Sequence, residues 1–296
     1  MAKKTRRTRG RGARRQCGAM AVHMRLLESY APFRARQAQL EEAIAQRRAA
    51  APKAAPKLVT VDVVVNVVYQ TDAQNVSDTQ IKSQITVLNR DFTAKNPDRT
   101  KVPDPWKGLV TDSRVRFKLA KVVRRRTTRP SFATDDSVKR ASSGGIAPFQ
   151  PASHLNIWVC ALSGGILGYA QFPGGPAETD GVVIDYRAFG TRGTAQAPFN
   201  LGRTATHEVG HYLNLRHIWG DTEDCSGSDF VADTPNTAGP NYATPTFPKV
   251  SCANGPNGDM FMNYMDYVDD ASMFLFTAQQ VVRMRAALDT ARPQLR

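Results

Sequence analysis

The chain has 296 residues, 41% of them hydrophobic, and a formal net charge of +14. That length and apolar content bury a sizeable core, and no apolar run approaches the ~20 residues of a membrane-spanning helix, so no membrane span is expected. The charge suggests a polyanion partner only until it is located. Residues 1–57 hold fifteen Lys or Arg against three acids, whereas the rest of the chain holds 25 against 23. The sequence is therefore a nearly neutral domain behind a basic leader.

Residues 1–16 carry eight basic and no acidic side chains, a composition that cannot collapse onto a core and predicts a disordered, solvated tail. A helix is expected at about 24–48, followed by the Pro-rich linker AAAPKAAPK at 49–57, which suits neither helix nor strand. The expected division is 1–57 as leader and 58–296 as the main domain. That domain opens on the buried strand Val59–Tyr69. Ser77 then caps a helix whose Ile81, Ile85, Leu88 and Phe92 form one apolar face, and Asn96-Pro97 stops it. The run RVRFKLAKVV at 114–123 alternates as a half-buried strand does. Further strands are expected at 154–161, at 167–172 and at 182–186. A last helix starts at the Thr277/Gln280 capping box, with Phe276 and Val281 as a hydrophobic staple, and runs through Met284 and Leu288.

Four cysteines have different surroundings. Cys225 and Cys252 lie in loops rich in Gly, Ser, Asn and Pro, where a disulfide replaces missing apolar packing, and they are expected to be bridged. Cys160 sits in the apolar run LNIWVC and reads as a small buried hydrophobe. A disulfide requires an oxidising compartment, so secretion is expected, although no signal-peptide pattern is visible in the N-terminal residues.

The chemistry is concentrated in residues 206–219, THEVGHYLNLRHIW. His207 and His211, four apart on a helix, project from one face and converge on one metal ion, with Glu208 beside them as general base. A catalytic zinc needs a third protein ligand and an open position, and His217 supplies the third. Six residues of helix turn through about 600°, which would point His217 away, so the helix must end and the chain turn before it. Three of the five histidines in the chain fall within the eleven residues 207–217.

This motif resembles that of the metzincin zinc endopeptidases. With LGYAQFPGG at 167–175, TDGVVI at 179–184 and NYMDY at 263–267, the chain resembles the pappalysin branch and its ulilysin-like members, from about Leu58 onward. The resemblance implies an α+β metzincin-type catalytic domain. Such a domain has a twisted mixed sheet, a backing helix and an active-site helix above an irregular lower subdomain, and here a short propeptide precedes it. It implies hydrolysis of peptide bonds in protein or peptide substrates that pair with the sheet edge at 167–170. Met265 resembles the Met-turn residue beneath the histidines, and Tyr267 a tyrosine that stabilises the oxyanion. Asn214 stands where the family pattern has Gly, a position needing positive φ, which Asn tolerates next best.

Arg14, Arg15, Cys17 and Gly18 resemble the cysteine-switch segment of latent pappalysin-branch enzymes. Cys17 would be a fourth zinc ligand in the latent form, and Lys53 and Lys57 would lie near the activating cut. The loop at 225–235 offers Asp229, Asp233 and Thr234 as calcium ligands, calcium being implied by the same resemblance. Ulilysin-like enzymes favour a basic residue just after the cut, yet residues 236–251 contain no acid to serve as the pocket floor. The alternative is a basic-tailed nucleic-acid or surface-binding protein with structural zinc. It leaves Glu208 idle and a fourth ligand missing, and no specific nucleic acid is expected.

Overall fold

In the computed structural model, residues 14–49 and 56–295 are described. Two helices open the chain, α1 (Ala19–Ser29) and α2 (Ala31–Ala49). The single leader helix expected at 24–48 is thus broken at Tyr30, which is extended. The cause is Pro32, which lacks an N–H and is tolerated only in the first turn of a helix. Residues 1–13 of the expected tail and 50–55 of the linker, Lys53 included, lie outside the described residues. Residues 14–16 depart from the expected disorder, because they dock on the domain and Arg15 is buried. The leader has no core of its own. Ala19, Val22, Leu26 and Phe33 join the apolar core of the main domain, while Leu40 and Ile44 pack with Ala286 and Ala287.

The main domain begins with β1 (Val59–Tyr69), followed by the backing helix α3 (Asp78–Phe92), a short α4 (Asp104–Lys107) and β2 (Val115–Arg126). β3 (His154–Cys160), β4 (Gly168–Ala170) and β5 (Val182–Asp185) complete one sheet, in the order β2-β1-β3-β5-β4. β1 pairs in parallel with β2 and β3, and β3 with β5, whereas β4 runs antiparallel to β5 at the edge. β1, central and Val-rich, is covered on both faces, which explains its near-continuous apolar run. β2 extends three residues beyond the expected segment. β4 keeps only three of the six expected at 167–172, because its ladder partner β5 begins at Val182, opposite Ala170.

Below the sheet lie α5 (Arg203–Tyr212) and the last helix α6 (Ala278–Thr290), whose capping box is formed as expected. Between them the chain is almost wholly irregular and is tied by the Cys225–Cys252 disulfide. Cys160 is a buried free thiol. The architecture is α+β: a five-stranded mixed sheet and its helices above, an irregular region below, and the cleft between β4 and α5.

Candidate metal centre

α5 carries His207, Glu208 and His211, and every one of its residues is buried. It ends in a Schellman turn: Leu215 N–H bonds to Gly210 O at 2.9 Å, Asn214 N–H to His211 O at 2.9 Å, and Asn214 is left-handed with φ 72°. That turn reverses the chain as the spacing requires and brings His217 back to the helix. The three Nε2 atoms converge, at 3.2 Å for His207–His211, 3.2 Å for His207–His217 and 3.1 Å for His211–His217.

The outer nitrogens fix the tautomers. His207 Nδ1 lies 2.8 Å from Tyr264 O and His211 Nδ1 2.8 Å from Leu215 O, both carbonyls that only accept. His217 Nδ1 lies 2.5 Å from Asp221 Oδ1. Each ring therefore donates outward and aims an Nε2 lone pair at the other two. Burial, and then the neighbouring imidazoles, hold His207 and His211 well below the usual histidine range, so the rings are neutral. Three inward lone pairs repel each other unless a cation lies among them, so the donor set fits a metal ion.

Met265 lies directly beneath. A Cβ on Gly210 would come within 2.5 Å of Met265 Sδ, so only glycine lets the helix rest on that sulfur. The turn carrying Met265 is held by Asn263, whose Oδ1 accepts from Met265 N–H and whose amide pairs reciprocally with Gln280 of α6. Glu208 is buried beneath β4, and burial lifts its carboxyl to about 8. Tyr267 packs its ring on His217 and Trp219.

The leader enters this centre. Cys17 joins His207, His211 and His217 in a group whose ligand atoms all lie within 4.8 Å of one another. Its Sγ is 3.4 Å from Glu208 Oε2, and Tyr267 Oη accepts from its backbone N–H at 3.3 Å. The flanking backbone pairs with the sheet edge: Leu167 N–H donates to Gln16 O and Gly18 N–H to Gly168 O, each at 2.9 Å. The leader thus takes the edge that an extended substrate would use.

Arg15, two residues earlier, drops into a closed pocket. Its guanidinium donates to Asp270 Oδ1 at 2.6 Å, Thr204 Oγ1 at 2.9 Å and Val268 O at 3.2 Å, and lies over the Phe199 ring. Arg14 lies over Tyr242.

Sequence reasoning missed Asp221 and Asp270. Asp221 was legible, since it stands four residues after His217 and just beyond the motif already singled out. Asp270 carried no signal, because an acid was sought in residues 236–251 and the one that meets Arg15 comes later in the chain. Of the expected calcium ligands, Asp229 accepts from Val231 N–H and from Thr234 Oγ1 at 2.7 Å. Asp233 instead accepts from Thr277 Oγ1 at 2.6 Å and Gln279 N–H at 2.9 Å, at the start of α6.

A buried three-histidine centre with a glutamate beside it, under a sheet edge filled by the chain's own leader, defines a metalloendopeptidase in its proenzyme form. Comparisons with known proteins agree. The peptidase family model described as Pregnancy-associated plasma protein-A matches residues 149–289. The extracellular metalloprotease of Arthroderma otae is 30% identical over 93% of this chain and 90% of its own. Extracellular metalloprotease 1 of Coccidioides posadasii is 34% identical over 71% and 68%.

Among solved structures, Tannerella forsythia mature mirolysin in complex with a cleaved peptide is 46% identical, with a TM-score of 0.80 over 81% of this chain and 96% of that one. A mutant of Tannerella forsythia promirolysin is 42% identical, with a TM-score of 0.86 over 95% and 97%. The chain belongs to the pappalysin family of metzincin metalloproteases. The nucleic-acid-binding alternative is not favoured, and no described helix is long and apolar enough to cross a membrane.

Proposed function

We propose that this chain is a secreted zinc endopeptidase, held latent by residues 1–57, that cuts protein chains before a basic residue. The observation that carries the reading is the convergence of three imidazole Nε2 atoms, with tautomers fixed from outside and a thiol in the fourth direction. His207, His211 and His217 would hold zinc, and Cys17 would be its fourth ligand until the leader is removed. The chemistry that zinc supplies in such a site is Lewis acidity toward a water and the scissile carbonyl.

The remaining work falls to the chain's own residues. The edge of β4, vacated by Gln16 and Gly18, binds the substrate backbone in extended form. Glu208 accepts the proton of the attacking water and returns it to the leaving amine. Tyr267, whose hydroxyl meets the Cys17 backbone in the latent form, is then free to donate to the developing oxyanion. The basic preference rests on Arg15, whose burial against Asp270 supports that pocket as the place for the side chain after the cut. The activating cut is assigned to 49–57, near Lys53 and Lys57.

Secretion is supported by relatives named as extracellular and by the disulfide. Calcium is assigned to the loop of Asp229 and Thr234, whose oxygens cluster with Val231 O. Burial there lifts the Asp229 carboxyl to about 7, a cost that a bound cation would relieve. Asp233, tied to α6, is left out of that set.

The test is to measure zinc in the full-length protein and its cleavage of an unfolded protein before and after limited trypsin treatment, with trypsin then inhibited. About one zinc per chain, activity only after processing, and new N-termini beginning with Arg or Lys are expected. A fully processed, zinc-loaded protein that cleaves nothing would contradict the reading.

A further inference from the structure

Arg15 accounts for the leader on one side of Cys17. On the other side the leader makes a second deep ionic contact, which the latency reading does not require. Glu41 of α2 lays its two carboxylate oxygens on the Arg283 guanidinium at 2.9 and 2.7 Å. Arg283, on α6, is only 1% exposed, and its Nε–H is anchored on Asn214 O at 3.3 Å. Arg216, the residue before the third histidine, lies 4.8 Å from the centre of the Phe230 ring, and Arg283 approaches the same ring at 5.9 Å. Phe230 is itself 49% exposed.

A third group faces the carboxylate. The buried Asn214 Nδ2 makes no hydrogen bond among the described residues, which leaves a donor near the Glu41 carboxylate whose presence favours its charged form. Burial pushes the Glu41 carboxyl up, but Arg283, Arg216 and Asn214 outweigh it and the net shift is downward. Arg283 holds the carboxylate directly, Arg216 shares the exposed Phe230 ring with it, and Asn214 carries its anchor, so the three make a cationic receptor for a carboxylate. Asn214 and Arg216 lie on the turn between His211 and His217, and Arg283 is anchored on that turn, so removing the leader leaves the receptor beside the metal centre with its ligand gone.

We propose that Arg283, Arg216 and Asn214 form a substrate subsite for an acidic side chain in the segment preceding the cut. The proposal rests on the reading of Arg15 as the stand-in for the residue after the cut, since Arg15 and Glu41 belong to one leader on either side of Cys17. Glu41 is then a second substrate mimic, and a bidentate guanidinium–carboxylate contact is strong and directional enough to select a residue. The Asn at position 214, where the family pattern has glycine, gives this chain a donor that glycine lacks.

The test uses full-length protein, processed and zinc-loaded, with peptides carrying Arg after the cut and Glu or Gln placed in turn at each of the preceding positions. At one or two positions kcat/KM for Glu should exceed that for Gln by at least about tenfold, as charged hydrogen bonds of this kind do. Arg283→Gln should bring that ratio near one. Asn214→Gly, which suits the left-handed backbone, and Arg216→Gln should each lower it, and both remain informative if Arg283→Gln misfolds. A Glu/Gln ratio near one at every position, with cleavage before Arg intact, overturns the subsite and leaves the protease reading standing. Absence of cleavage before Arg in any peptide overturns both.

Discussion

Replacing Asp270 by asparagine separates charge from shape at the floor of the Arg15 pocket. Asp270 Oδ2 accepts the N–H groups of Leu201 at 2.8 Å and Arg203 at 3.2 Å, at the start of α5, and Oδ1 accepts from Arg15 at 2.6 Å. The two backbone donors cannot move without moving the helix. An asparagine must therefore leave its oxygen on them and turn its NH2 toward the guanidinium, donor against donor. A charge-assisted hydrogen bond worth about 1.5–3 kcal/mol is lost, and the guanidinium, buried in this pocket, is left without its countercharge, for which one-sided removal costs about 3–5 kcal/mol. At about 3 kcal/mol, the preference of the processed enzyme for Arg over Gln after the cut should fall roughly a hundredfold. The assay is the ratio of kcat/KM for two peptides differing only at that residue. In the unprocessed chain the same change should loosen the leader and raise residual activity. An unchanged Arg/Gln ratio would refute the assignment of this pocket.

Glu208→Ala should retain the metal and the fold but lose about a thousandfold or more in turnover, since the base is removed and the three imidazoles stay; zinc analysis and peptide hydrolysis on one preparation check both halves. Cys225→Ser with Cys252→Ser opens a link across 27 residues, which should cost about 3.5 kcal/mol of stability by the chain-entropy estimate and lower the thermal midpoint. Calcium should raise the thermal midpoint of the wild type, and Asp229→Asn should abolish that rise in the same titration.

Local chemistry wrote much of this structure into the sequence. The Ser77 cap and the Thr277/Gln280 box marked the starts of α3 and α6 because both satisfy helix N–H groups from within a few residues. The zinc spacing singled out three histidines that the fold brings together, and the mismatch between six residues and the helical period forced a turn that the left-handed Asn214 supplies. The Cys225–Cys252 pairing was also anticipated from its loop surroundings.

What escaped depends on distance along the chain. Asp270 meets Arg15 across 255 residues and Glu41 meets Arg283 across 242. Neither residue's neighbours in sequence show it to be anything but a solvated charge. The leader's basic composition predicted disorder through residue 16, but Arg15 finds a carboxylate and an aromatic ring and becomes one of the most deeply buried charges in the structure. The break at Tyr30 was overlooked because Pro32, which ends one helix and suits the first turn of the next, was read as lying inside a single helix.

The central claim is that Cys17 closes the metal centre of the latent enzyme. X-ray absorption at the zinc edge of full-length protein, compared with Cys17→Ala, tests it directly. The account predicts one sulfur and three imidazole nitrogens in the wild type, no sulfur in the variant, and activity in the variant before any cut between 49 and 57. A wild-type spectrum without sulfur, together with equal latency of both proteins before processing, would contradict it.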